Sequence, residues 1–294
     1  EGMTALGMTD HGNLYGVVEF YEYARKAGIK PIIGCEVYVA PLGRSSRKPS
    51  DKQPYHLTLL AKNNVGYENL VQLVSKGHLE GFYYKPRIDR ELMEQHSEGL
   101  IALSGCLAAE VPRLITDGQR DEAREAISWY KETFDNYYLE LQSHEALPEL
   151  TTLNETLVAW SKEINVPLVA TNDLHYVKAT DADYHDMLLC IQTNANVNDT
   201  NRMRLEDPGY YLKSEEEMQR LFPNNPEAIE NTQRIADMCE LNLEFDRLLL
   251  PQIDLPVGKD SKQYLEELCW EGFAQRFSSP TEDERERLLY ELDV

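Results

Sequence analysis

Six short apolar runs, spaced along the first 171 residues, constrain this chain more than any other feature. They fall at 4–9, 31–40, 55–61, 99–104, 137–141 and 167–171. Between them, 15–27, 64–78, 107–134 and 149–164 read as helices, with a break near Asp117-Gly118. In the first of these Val17, Val18, Phe20, Tyr21, Ala24 and Ala27 share a helical spacing, and Gly28 stands where a helix stop belongs. Runs that are continuously apolar, not alternating, suit strands covered on both faces. The expectation is therefore an α/β fold with a parallel sheet, closed or nearly closed into a barrel.

In such folds ligands gather where strands meet the loops that follow them. Chemistry-bearing residues recur at that place in this chain. Asp10 and His11 follow the first run, Glu36 lies inside the second, and His56 stands near the start of the third. Cys106 follows the fourth run, and Asp173 and His175 follow the sixth. Each has an ordinary explanation alone: an acid capping a helix, a histidine satisfied by a carbonyl, a buried cysteine acting as a small hydrophobe. Their repetition at one topological position argues for a shared metal site. Imidazole, carboxylate and one thiolate suit Zn²⁺, Mn²⁺ or Fe²⁺ better than Mg²⁺ or Ca²⁺.

Among the other histidines, His78 and His96 fall at helix ends and His185 lies beside Asp186 in a helix, while His144 is held as a reserve site residue. Arg44, Arg47, Lys48 and Lys52 mark a flexible basic loop, and 81–87 is an aromatic-basic one containing Lys85 and Arg87. These cations either steer a nucleic-acid backbone or are solvated surface.

A net charge of −22 opposes wrapping of nucleic acid by the chain as a whole, though not a local phosphate-facing site. Five cysteines without a CxxC pair fit a reduced, cytoplasmic compartment, and no apolar run is long enough to span a bilayer. The opening Glu1-Gly2-Met3 runs straight into a strand pattern, as expected of an internal fragment. After Tyr176 the pattern changes. Residues 181–191 read as a helix, 194–201 as a polar loop, and 210–214 as a strand entering a helix with acids in its first turn. A helix is expected at 227–239, an extended connector at 248–256, and acidic helix from 261 to the end. The expected division is a metal-binding barrel at 1–205 and a mainly helical connector at 206–294.

TDHG, PIIGCEVYVAP, YHLTLLAKN, GYENL, HLEGFYYKPRID, GLIALSGCLAAEVPR, YYLELQSH and PLVATNDLHYV occur in this order. LLCIQTN, YYLKSEEEM, NTQRIADMC and LLLPQIDLP continue the series. Together they closely resemble the alpha subunits of bacterial replicative DNA polymerase III, in their N-terminal polymerase-and-histidinol-phosphatase (PHP) domain. The resemblance implies a distorted seven-stranded (β/α) barrel with up to three metals at its strand C-terminal face. On that resemblance Asp10, His11, Glu36, His56, Cys106, Asp173 and His175 are metal ligands, with Asp10, His11 and Asp173 catalytic. It further implies DNA replication as the process and DNA-directed DNA polymerase (nucleotidyltransferase) activity for the parent protein. The PHP site is then a 3′–5′ exonuclease or a platform that docks a separate proofreading exonuclease; DNA and a sliding clamp are further partners. The family's first motif, a His-x-His pair on the first strand, would precede Glu1, and the palm carboxylates would follow Val294. The barrel is thus expected without its first strand, open beside 4–9, and as a poor nuclease in this form.

Overall fold

The computed structural model describes residues 2–205, 207–245 and 250–294, and of Ser50 only the backbone. The expected boundary at Glu206 and the beginning of the connector at 248–249 lie outside the described residues. By internal contact the chain separates into one unit at 1–243 and another at 244–294.

The first unit is built on a seven-stranded sheet. Its strands are β1 (Ala5–Met8), β2 (Lys30–Val39), β3 (Tyr55–Ala61), β4 (Arg87–Ile88), β5 (Leu100–Leu103), β6 (Asn136–Leu141) and β7 (Leu168–Ala170). The order across the sheet is β1-β2-β3-β5-β6-β7, with β4 beside β2. β1–β2, β2–β4, β5–β6 and β6–β7 are parallel pairs. β3 departs from the parallel expectation, running antiparallel to both β2 and β5. Parallel neighbours need a crossover, usually a helix. The stretch between β2 and β3 contains only a 3₁₀ turn at Pro49–Lys52, so β3 returns antiparallel. The sheet curls into an open barrel, and no pairing joins β1 to β7 among the described residues.

Helices cover the outer face: α1 (Val17–Lys26), α2 (Asn64–Leu79), α3 (Arg90–Gln95), α4 (Glu110–Thr116), α5 (Arg120–Thr133) and α6 (Glu149–Ile164). α2 starts where the Asn63 side chain accepts a hydrogen bond from Gly66 N, and α3 where Asp89 accepts one from Leu92 N. Val37, Leu57, Leu59, Ala102, Leu139 and Leu168 pack outward with Leu70, Leu73, Ile127, Leu157 and Trp160. The opposite face of the same strands forms a second cluster: Ile32, Leu60, Ile101, Leu103, Tyr138 and Val169. Burial on both faces explains why the strands read as unbroken apolar runs.

Later chain closes this interior. α7 (Ala182–Thr193) is followed by α8 (Glu215–Leu221) and α9 (Pro226–Met238). Ile235, Ala236 and Cys239 join the inner cluster. Asn231 Nδ2 donates to Leu168 O at 2.7 Å, and Glu240 N to Lys62 O at 2.6 Å. These contacts lie at the start of β7 and just past the end of antiparallel β3, so α9 seals the end opposite the candidate site. A cavity of about 1140 Å³ lies between β1, β7, α8 and α9, lined in part by Ala5, Ile32, Leu60 and Val169. The second unit contains α10 (Ser261–Arg276) and α11 (Glu282–Asp293), each opened by a capping box, Asp260 with Gln263 and Thr281 with Glu284.

Candidate metal centre

At the open end of the barrel the inward positions change from apolar to polar. On β2, Ile32 gives way to Glu36, and on β6 Tyr138 gives way to Glu140. β3, running the other way, brings its first residues to this end, where His56 pairs with Tyr38 and Thr58 with Glu36. The antiparallel strand is therefore the reason a histidine at a strand start joins residues from strand ends. His11 arrives from the loop after β1, bridged to Glu36 in parallel register. Its turn requires glycine: Gly12 has φ +66°, and a Cβ there would lie 2.9 Å from both Pro86 and Tyr38.

Glu36 Oε1 lies 2.9 Å from His11 Nδ1 and 2.6 Å from His56 Nδ1. The ligand atoms of these three residues all fall within 4.8 Å of one another. Glu36 Oε1 is buried, and among the described residues these two imidazoles are its close polar neighbours. Two imidazoles gathered on one buried carboxylate form a donor set that divalent metals accept. Burial would raise the Glu36 carboxyl, but the two imidazoles outweigh it and hold it at about 2. Contact with Glu36 in turn raises His11 against the opposing effect of burial.

The other expected residues surround this group. Cys106 Sγ is 3.6 Å from His56 Nδ1. Its thiol is pushed well up by burial and then by Glu36 and Asp173. The His175 ring stands 5.8 Å from that of His11, and its Nδ1 is 3.9 Å from Asp173 Oδ1 and 2.6 Å from Asp173 O. Asp173 holds a left-handed backbone, φ +49°, and burial raises its carboxyl. Asp10 is placed differently. Its carbonyl accepts from Glu36 N at 3.0 Å and from Cys35 Sγ at 3.2 Å, while its exposed carboxylate faces Gly16.

Residues 1–144 match the PHP domain family. This stretch belongs to that family. Across 99% of its length the chain is also 46% identical to the DNA polymerase III subunit alpha of Borreliella burgdorferi. The protein of that name from Deinococcus radiodurans is 44% identical over 94% of the chain, and that of Treponema pallidum 43% over 100%. The chain spans about a quarter of the length of these curated relatives.

Within the PHP domain the most informative residue missed in the sequence is Glu140. It is fully enclosed, accepting from Gly105 N at 2.9 Å, Thr171 Oγ1 at 2.5 Å and Gln142 Nε2 at 3.0 Å. Burial, with Asp173 and Glu36 nearby, pushes its carboxyl up to about 7 despite those donors. It ties together the loops that carry Cys106 and Asp173. A second missed feature is the strap at 207–213. Asn172 Nδ2 donates to Gly209 O at 3.0 Å and Tyr211 O at 2.6 Å, and Lys213 Nζ to Asn172 Oδ1 at 2.8 Å. His175 N donates to Tyr210 O at 2.9 Å. His144, the reserve residue, is buried behind this strap, stacked on Tyr210 at 4.0 Å, and among the described residues neither ring nitrogen is hydrogen-bonded, Asp207 Oδ1 standing 3.8 Å from Nδ1. Burial lowers its proton affinity, so it is a neutral wall of the site.

The basic residues at the mouth divide into two kinds. Arg87 is completely buried, donating to the carbonyls of Gly81, Arg44 and Ser46 at 2.8–3.0 Å. Arg44 is engaged by Glu80, Asp89 and Glu91. The loop expected to be flexible is thus pinned at its centre, and Arg44 and Arg87 are neither solvated nor available to a ligand. Arg47, Lys48, Lys52 and Lys85 remain exposed.

Proposed function

We propose that this chain is the PHP region of a replicative DNA polymerase III alpha subunit and that its site, loaded with divalent ions, hydrolyses phosphodiesters at a DNA 3′ end. The observation that carries the hydrolytic reading is the convergence of His11, buried Glu36 and His56, whose ligand atoms lie within 4.8 Å of one another. The high identity to polymerase III alpha subunits over almost the whole chain supports the parent role. The same reading includes polymerase activity for the parent, DNA and other replicase subunits as partners, and a cytoplasmic location; no helix among the described residues is long and apolar enough to cross a membrane.

His11, Glu36 and His56 would hold the first ion, and Cys106, Asp173 and His175 would extend the site toward the up to three ions that the resemblance implies. Zn²⁺, Mn²⁺ and Fe²⁺ match this donor set. A divalent ion bound here would supply Lewis acidity toward the phosphodiester. Glu36, already ionised far below neutral pH, brings permanent negative charge. Cys106 must lose a proton that its surroundings retain, so its participation strengthens with pH. Asp173, fixed by an unusual backbone conformation, presents its carboxylate next to His175. Asp10 supports the centre through its carbonyl, which accepts from Glu36 N and Cys35 Sγ.

The test has two stages. Chelator-stripped protein is dialysed against Mn²⁺ or Zn²⁺ and bound metal is measured; Glu36→Gln is expected to weaken retention at least about tenfold. The loaded protein is then given 5′-labelled single-stranded DNA, and slow shortening from the 3′ end, lost in Asp173→Asn, is the expected result. Metal retention without shortening would favour a docking platform for a separate proofreading exonuclease. One observation favours that second reading: among the described residues only His11, Glu36 and His56 form a compact ligand group.

A further inference from the structure

The loop between α2 and β4 carries a feature that metal binding does not use. Phe82, Tyr83, Tyr84 and Lys85 project from a rigid base in a chain that is otherwise strongly acidic. Buried Arg87 grips the Gly81 carbonyl at 2.9 Å, and a Cβ on Gly81 would lie 1.8 Å from Arg87 O. Tyr83 N donates to Lys85 O at 3.0 Å, forming a tight tip. At that tip Tyr84 takes φ +60°, a region that bulky residues rarely occupy, with its ring exposed. Phe82 is exposed beside it.

The cations of the mouth gather on these rings. Lys52 Nζ lies 5.0 Å from the Tyr84 ring centre, Arg47 Cζ 5.8 Å from Tyr83, and Lys85 Nζ 5.3 Å from Tyr38. Tyr38 connects the loop to the candidate site, stacked on His11 at 6.4 Å and edge-on to His56 at 5.2 Å. His78 Nε2 stands 2.9 Å from Gly12 O, and its ring is 6.2 Å from Phe82. The loop is therefore braced directly against the turn that carries His11.

Exposed aromatic rings interleaved with exposed amines such as those of Lys52 and Lys85 are the composition that holds single-stranded nucleic acid: bases stack on the rings and phosphates meet the cations. We propose that Phe82 and Tyr84 form a base-stacking lip for single-stranded DNA, with Lys52 and Lys85 on its phosphates, leading a terminal phosphodiester to the His11–Glu36–His56 group. The proposal rests on the phosphodiesterase reading for its final step, but the lip is a binding site in its own right. It also explains how a chain of net charge −22 can admit DNA, because exposed Lys52 and Lys85 stand at the mouth while Arg44 and Arg87 hold the loop in place.

Binding separates the two ideas. Anisotropy of a labelled oligothymidylate of about ten nucleotides is measured against the wild-type chain, Tyr84→Asn, Lys85→Ala and Glu36→Gln. Asparagine accepts the left-handed backbone, so the first variant removes the ring without straining the loop. Tyr84→Asn and Lys85→Ala are each expected to weaken binding about tenfold, as for the loss of one stacked base, while Mn²⁺ retention stays unchanged. An abasic oligonucleotide of equal length should lose the Tyr84 dependence. If these variants weaken DNA binding but no condition gives hydrolysis, the lip stands and the phosphodiesterase reading falls. If both variants bind as wild type, or the abasic oligonucleotide keeps the Tyr84 dependence, the lip is overturned whether or not DNA is cut.

Discussion

Two glutamates on facing strands show how environment divides one side chain into two behaviours. Glu36 is held at about 2 by His11 and His56, whereas Glu140 is pushed up to about 7 by burial and by its acidic neighbours. Each is a lone acid inside an apolar run, Glu36 in PIIGCEVYVA and Glu140 in YYLELQ, so that pattern alone does not separate them. For Glu140 the sign of the linkage follows from the raised value. Between about pH 4.5 and 7 the folded chain keeps a proton that the unfolded chain has lost, so stability falls as pH rises through this window. At about 1.4 kcal/mol per tenfold change in proton affinity, the effect is on the order of 3 kcal/mol. Urea midpoints of chelator-treated wild type and Glu140→Gln, compared across that range, should show the variant lacking this component. Parallel pH profiles would mean that Glu140 titrates as an ordinary carboxylate. Glu36 works in the opposite sense: its contribution is complete above about pH 4.5 and is lost as pH falls toward 2.

At the scale of elements, the long strands and helices were legible because period and length agreed; α6, for instance, runs from Glu149 to Ile164 as its apolar spacing requires. The direction of β3 is signalled only outside the strand, by the missing crossover helix between β2 and β3, since no pattern within a strand reports which way its neighbour runs. β4 was hidden for another reason: it has only two residues, one of them the arginine that looked like surface. The 207–213 strap shows itself as an extended run at 210–214 but hides its pairing, since Asn172 sits beside more obvious ligands and its partners lie about 40 residues away. That strap gives an element-level prediction. Asn172→Ala removes two donations to strap carbonyls and the acceptor for Lys213, exposing partly buried polar groups. A loss of roughly 1–3 kcal/mol is expected, read as a lower urea midpoint. Weaker Zn²⁺ retention should accompany it, because Asp173 and His175 lose their anchor. Reduced stability with unchanged metal retention would make the strap a structural tie alone.

For the whole molecule the decisive fact is that one sheet serves two ends. Its apolar end is closed by α9, and its polar end carries the candidate ligands under the strap. The chain from 1 to 243 holds both closures, and hydrogen bonds between Tyr21 and residues 241 and 243 fasten its last residues onto α1. α10 and α11 contain no buried residue, so the second unit has little core of its own. A chain ending at Leu243 is therefore expected to unfold cooperatively with nearly the urea midpoint of the full chain and to retain Mn²⁺ equally well. Ending the chain at Leu205 instead removes the strap, α8 and α9, and leaves Ile32, Leu60, Ile101, Leu103 and Val169 facing water. Contiguous apolar surface of that kind drives association, so the shorter chain should aggregate or bind a hydrophobic dye strongly. A soluble chain at 1–205 that binds metal as the full one does would show that the barrel closes without α9, and that the inner cluster is a dispensable plug.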